Sequence, residues 1–144
     1  MGRDRIRMTA PEVDRFLAEE RVLRLATVDA DGWPAVVPVW FVWHQREWWV
    51  WNLDRARRTP RLRAHATRVA VVVDGGVAYH ELRGVHARVE HRFVSHEDTP
   101  VAVRRAFAAK YFDHDEPLPP ADDHTWLALR PVHLESWDFR KVMG

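Results

Sequence analysis

The sequence has no cysteine, which excludes disulfides, thiolate metal sites and a cysteine nucleophile. It also lacks any apolar run near the ~20 residues of a membrane span. The opening MGRDRIRMTAPEV carries no apolar core of an export signal, so a soluble cytoplasmic protein is expected. Formal net charge is only +1 over 144 residues. No overall field therefore draws the chain to nucleic acid or membrane, and any basic patch must be local. No Ser-His-Asp pattern, nucleophile elbow, Walker loop or Gly-x-Gly-x-x-Gly occurs. The stretch HDEPLPPADDH (114–124) holds oxygen and nitrogen donors at no compact metal spacing, and reads as a solvated acidic loop.

What is present is aromatic and basic. Five of the eight tryptophans lie between residues 40 and 51, and NLDRARRTPRLRA (52–64) carries five arginines. The length suits one domain, residues 1–144, with a core of its own. Thr9 with Glu12 makes a capping-box signature before the amphipathic VDRFLAEE. Val22, Leu23, Leu25 and Thr27 alternate as in a strand, and DADG (29–32) marks a turn. WPAVVPVWFVW is extended, with Pro34 and Pro38 placing it at an edge or bulge, and HQRE turns into WWVWN. Residues 22–52 thus predict a three-strand meander. Asp54 is a candidate N-cap for a helix reaching about Ala66, irregular at its start because of Pro60. RVAVVVD (68–74) is a strand, and AYHELRGVHARVEHRFV alternates Val85, Ala87, Val89 and His91 against His86, Arg88, Glu90 and Arg92. A helix over 99–112 and one or two closing strands from 124 follow. This order favours an antiparallel barrel with peripheral helices over a layered βαβ fold.

Arg57 and Arg58 fall in the first turn of the inferred helix, where cations oppose the helix dipole unless an anion is bound. A solvated arginine face is the alternative, and Arg55, Arg61 and Arg63 fit it. On alternation Trp49 and Trp51 share one face, Trp48 and Val50 the other; Trp43 and Trp48 are expected in packing. Tryptophans on both faces leave rings turned outward, and a homodimer is expected to bury them.

The ordered set ATVDADGWP (26–34), a second strand, VWN and ARRTPRL resembles the pyridoxamine 5'-phosphate oxidase-like split β-barrel family of flavin and deazaflavin oxidoreductases. The register runs unbroken over 26–62, with fainter likeness through RVAVVVD and ELRGVHARVE, where Gly84 matches a strand glycine of the family. The resemblance implies a mainly β, antiparallel, Greek-key-like split barrel with peripheral helices. It also implies a homodimer with cofactors at the subunit interface, the cofactor being FMN or else the deazaflavin coenzyme F-420. Val37, Pro38, Val39 and Trp40 are expected along the cofactor ring. Trp51, Asn52, Arg57 and Arg58 are expected at its phosphate, with Asn52 donating through its amide in place of the family's threonine. Tyr79 and Trp137 would close the site from the second subunit. The reaction implied is hydride transfer with a small organic substrate, needing no protein acid or base. Val37 and Val42 stand where true pyridoxamine-phosphate oxidases have basic residues, which argues against the vitamin-processing enzyme itself. A non-catalytic flavin or heme carrier on the same barrel, and a structural dimer without cofactor, stay open. No nucleic-acid or membrane partner and no metal is expected.

Overall fold

The computed structural model describes residues 2–64 and 68–143. Helix α1 (Ala10–Glu19) opens with the expected capping box: Glu12 N donates to Thr9 Oγ1 (3.3 Å), and Thr9 N to Glu12 Oε1 (2.9 Å). Then come β1 (Leu23–Val28), β2 (Pro34–Val39), β3 (Val42–His44), β4 (Glu47–Leu53), α2 (Arg58–Ala64) and β5 (Val69–Gly75). The chain continues through β6 (Arg83–Val94), α3 (Val101–Phe112), β7 (His124–Asp138) and α4 (Arg140–Met143).

All strand pairs are antiparallel, in the order β2-β1-β5-β6-β7-β4-β3. The two edge strands, β2 and β3, are joined by Trp40 and Phe41 alone. A sheet whose opposite edges are two residues apart in the chain has to curl until they meet, and this makes the mainly β split barrel. The expected meander over 22–52 is therefore corrected. Its middle run breaks at Trp40–Phe41 and sends its halves to opposite edges, so only the β1–β2 and β3–β4 hairpins form. Both hairpins have explicit turn chemistry. In the first, Asp29 Oδ1 accepts from the N–H groups of Asp31 and Trp33 (2.9 Å each) and Gly32 takes φ +87°. In the second, Gln45 and Arg46 both have positive φ, the requirement of a tight two-residue hairpin. The closing segment is one strand, β7, whose pairing with β6 shifts between Arg88 and Val89 so that Val132 is extra beside Pro131.

Inside the barrel, Leu23, Leu25, Trp48, Val50, Val71, Val85, Leu127 and Leu129 pack with Phe16 and Leu17 of α1. A second core lies on the other face of β4 and β7, where Val103, Phe107 and Ala108 of α3 cover Trp49, Trp126 and Ala128. Trp48 with Val50 and Trp49 with Trp51 thus take opposite faces as alternation predicts. Of the rings expected to face outward, Trp49 is covered by α3 of the same chain to 3% exposure, whereas Trp40 stays 48% exposed. A different face stays open. On β2, β1 and β5 the residues turned away from the core are Pro34, Val36, Pro38, Arg24, Ala26, Val28, Ala70, Val72 and Asp74, an apolar face crossed by the Arg24–Asp74 ion pair (2.7 Å).

Candidate functional site

The chain leaves β4 at Leu53 and enters α2 at Arg58, and a small polar network fixes that corner. Thr59 Oγ1 donates to the Leu53 carbonyl (3.0 Å) and accepts from Asn52 Nδ2 (3.0 Å). Asn52 is fully buried, and its Nδ2 also reaches the Leu53 carbonyl at 3.4 Å. With both amide hydrogens committed, Asn52 does not offer the donor expected of it. Its Oδ1 instead accepts from Arg58 Nε (2.9 Å), which aims the guanidinium and leaves both Nη groups without a partner among the described residues. Burial pushes the Arg58 group down from its ordinary value. No carboxylate among the described residues pairs with it. A partly desolvated cation held by a neutral amide is a poor structural ion pair and a ready anion contact. The helix starts four residues later than Asp54, which is not its N-cap; its expected end near Ala66 lies outside the described residues.

Arg58 forms one wall of a cleft of about 510 Å³ lined also by Pro38, Val39, Trp40, Trp51, Phe107, Phe112 and His124. The size falls within the usual range for small-molecule sites. Aromatic rings make up half of its lining, with Val22 and Val50 among the aliphatic remainder. Trp40 is 48% exposed, and its ring stacks on Tyr111 at 4.5 Å and 9°. Tyr111 ties the β2–β3 corner: its hydroxyl accepts from Phe41 N–H (3.0 Å) and lies 2.8 Å from the carbonyls of Arg21 and Phe41. Burial raises its phenol to about 12, so it stays a neutral anchor. On the far side Trp51 stacks on the His124 ring at 4.2 Å, and His124 Nδ1 lies 2.8 Å from Asp123 Oδ1. The hydrogen bond to His124 is the main cause holding the Asp123 carboxyl below its usual value.

Five of the ten residues expected at the site, Pro38, Val39, Trp40, Trp51 and Arg58, line this one cleft. Asn52 supports it from behind. Val37 turns its side chain into the barrel core, leaving only its backbone for a ligand. Arg57 is exposed and outside the lining. Tyr79, 73% exposed, stacks on Phe139, and Trp137 lies over Gly84 beside a separate pocket near the N-terminal segment. Neither reaches the cleft of its own chain. The sequence reading missed Thr59, Phe107, Phe112 and His124. Thr59 directly follows the arginine pair and was open to notice; the other three reach the cleft only through the pairing of β7 with β4 and the packing of α3. Among the described residues no group of three or more metal-ligating side chains forms, the 114–124 loop included.

A family model described as pyridoxamine 5'-phosphate oxidase matches residues 9–138. No curated protein is significantly similar in sequence. Among solved structures, the conserved hypothetical protein Rv2991 from Mycobacterium tuberculosis is 23% identical with a TM-score of 0.83, covering 100% of this chain and 93% of its own. The heme storage protein HutZ from Vibrio cholerae is 22% identical with a TM-score of 0.71, covering 90% and 96%. A structure described as an F420 reductase is 26% identical with a TM-score of 0.61, covering 84% and 94%.

Proposed function

The chain belongs to the pyridoxamine 5'-phosphate oxidase family, and from that premise we propose that it is a flavin- or deazaflavin-dependent oxidoreductase acting on a small, flat organic substrate. One observation carries the reading: Arg58, partly buried and without a carboxylate, is aimed by Asn52 at one end of an aromatic-walled cleft. That donor set fits a flat ring bearing a phosphate. The two free Nη groups match a phosphate bidentately, and Trp40 and Trp51 offer ring faces.

The bound cofactor supplies the hydride chemistry, and the protein supplies binding, orientation and water exclusion. Arg58 grips the phosphate, Asn52 and Thr59 hold Arg58 in place, and the edge strand from Val37 to Trp40 flanks the ring with its backbone. Phe107 and Phe112 keep the cleft dry on the α3 side. Arg57 acts at most as an outer cation. FMN is the first choice of cofactor, because a single compact phosphate suits Arg58. The coenzyme F-420 is the alternative, with the surplus arginines serving its longer anionic tail. Arg63 is the least suited of these, since its guanidinium sits 4.1 Å over the Phe93 ring. Val37 and Val42 are both turned into packing, consistent with a substrate other than that of the vitamin-processing enzyme.

The protein acts as a homodimer in this reading, with no nucleic-acid or membrane partner. The face of β2, β1 and β5 left open among the described residues supports it, with Val36 at 63% exposure, and Pro38 belongs both to that face and to the cleft. Tyr79 and Trp137 then come to the site from the second subunit. A flavin or heme carrier on the same barrel is the second reading, favoured by the likeness to a heme storage protein. The visible spectrum of freshly purified protein, before and after adding FMN, F-420 or heme, separates these. A flavin or deazaflavin band that bleaches and recovers through a redox cycle supports the oxidoreductase. Uptake of heme alone supports the carrier, and a protein that takes up none removes both.

A further inference from the structure

Among the described residues the cleft is lined by two side chains that carry or can acquire charge, Arg58 and His124, and by no carboxylate. His124 is held in a definite way. Its Nδ1 lies 2.8 Å from Asp123 Oδ1, its ring stacks on Trp51 at 4.2 Å, and its side chain is 22% exposed. Nε2 has no hydrogen-bond partner among the described residues. The pairing of Leu53 with His124 sets the ring beside the end of β4, at the Asn52–Arg58 corner.

We propose that His124 is a second, proton-dependent cation of the cleft, so that the site selects flat ligands bearing negative charge and takes up a proton as it binds them. An imidazole changes charge between about pH 5 and 8, whereas Arg58 stays charged throughout. The Asp123 carboxylate accepts from Nδ1–H, and the ring lies on the Trp51 face. Arg58 on α2 lines the same cleft, and Arg55 acts electrostatically on Asp123. Asp54, whose N–H donates to the Asp123 carbonyl (2.9 Å), adds a nearby carboxylate with one buried, unpartnered oxygen. From α3 only the neutral rings of Phe107 and Phe112 face the cleft. An arriving dianionic phosphate offsets the repulsion from Arg58 and tips the balance to the protonated form. Linkage then requires tighter binding at lower pH.

This inference rests on the cofactor reading, and its test keeps the two apart. FMN is titrated into the whole protein by calorimetry from about pH 6.5 to 8.5, a range that brackets imidazole titration. Each titration is run in two buffers of different ionisation enthalpy to count protons. Riboflavin, which lacks the phosphate, is the neutral probe. Wild type is expected to take up protons with FMN and to lose affinity up to about tenfold per pH unit, the limit for one coupled proton. His124→Gln should show only the shallower dependence of the FMN phosphate itself, whose second ionisation is near pH 6. Asp123→Asn, the check should His124→Gln fail to fold, should move the coupling to lower pH. Riboflavin should show no coupling. Equal proton uptake by wild type and His124→Gln overturns the inference and leaves the cofactor reading standing. Equal coupling for riboflavin and FMN does the same. Absence of any FMN complex at every pH overturns both.

Discussion

At Arg58 the guanidinium has lost part of its water, and among the described residues it gains no carboxylate and one side-chain partner, the neutral Asn52 amide. Arg58→Ala leaves the buried Asn52 Oδ1 without its donor, so the melting point should fall modestly while the protein stays folded. FMN binding, read by fluorescence titration, should weaken by about 1.5–3 kcal/mol, the scale of a charge-assisted hydrogen bond. Arg63→Ala should change it little, because that side chain is spent on the Phe93 ring. Equal FMN affinity for wild type and Arg58→Ala would remove Arg58 from the site. Asn52 shows where reading residue by residue stops. Its amide was legible as polar and near the arginines, but whether it donates to a ligand or to Thr59 depends on where α2 folds back. Gly84 was legible as a strand glycine, and its physical reason needed the fold. A Cβ there would enter the indole of Trp137, its cross-strand partner. Gly84→Ala should cost about 1–3 kcal/mol by overpacking, and chemical denaturation checks it; an unchanged midpoint would show that Trp137 swings away freely.

Local pattern reached most of the elements. The capping box located α1, and period-two alternation assigned the faces of β4 and β6. It could not say that β2 and β3 part company at Trp40–Phe41, because an extended run looks the same whether its ends join one sheet edge or two. Nor could it say that α3 caps the second face of β4, since Phe107 and Trp49 meet only across 58 residues of chain. That helix carries a consequence for pH. Lys110 lies 3.9 Å over the Phe41 ring, and burial, with Arg21 adding to it, lowers its amine from 10.5 to about 8. The unfolded chain thus binds more protons between about pH 8 and 10.5, and this residue makes folding more favourable as pH rises through that window. Tyr111, raised to about 12, acts oppositely above pH 10. Thermal melts of wild type and Lys110→Met at pH 7.5, 8.5 and 9.5 isolate the lysine. The variant should be the more stable at pH 7.5, by about 1–2 kcal/mol after allowance for partial exposure, and the gap should narrow steadily through pH 9.5, closing only above about pH 10.5. A constant gap would place Lys110 in water.

On the scale of the whole molecule, closure by two residues brings Trp40, the Tyr111 anchor and the end of β4 to one place, and the cleft follows from it. Among the described residues the face of β2, β1 and β5 stays uncovered, with Pro38 common to face and cleft. The proposed assembly rests on the open sheet face as well as on the exposed rings of Trp33 and Trp40, because exposed apolar area of this kind is usually covered by a second copy. The proposed function requires a phosphorylated flavin-type cofactor bound in a cleft completed by dimerisation. Sedimentation velocity at low micromolar protein, with FMN present and followed at the flavin's visible band, tests it most directly. The account predicts that the visible absorbance travels with a dimer at one cofactor per chain. A flavin boundary that stays behind the protein, or one that travels at full occupancy with a monomer, would contradict it.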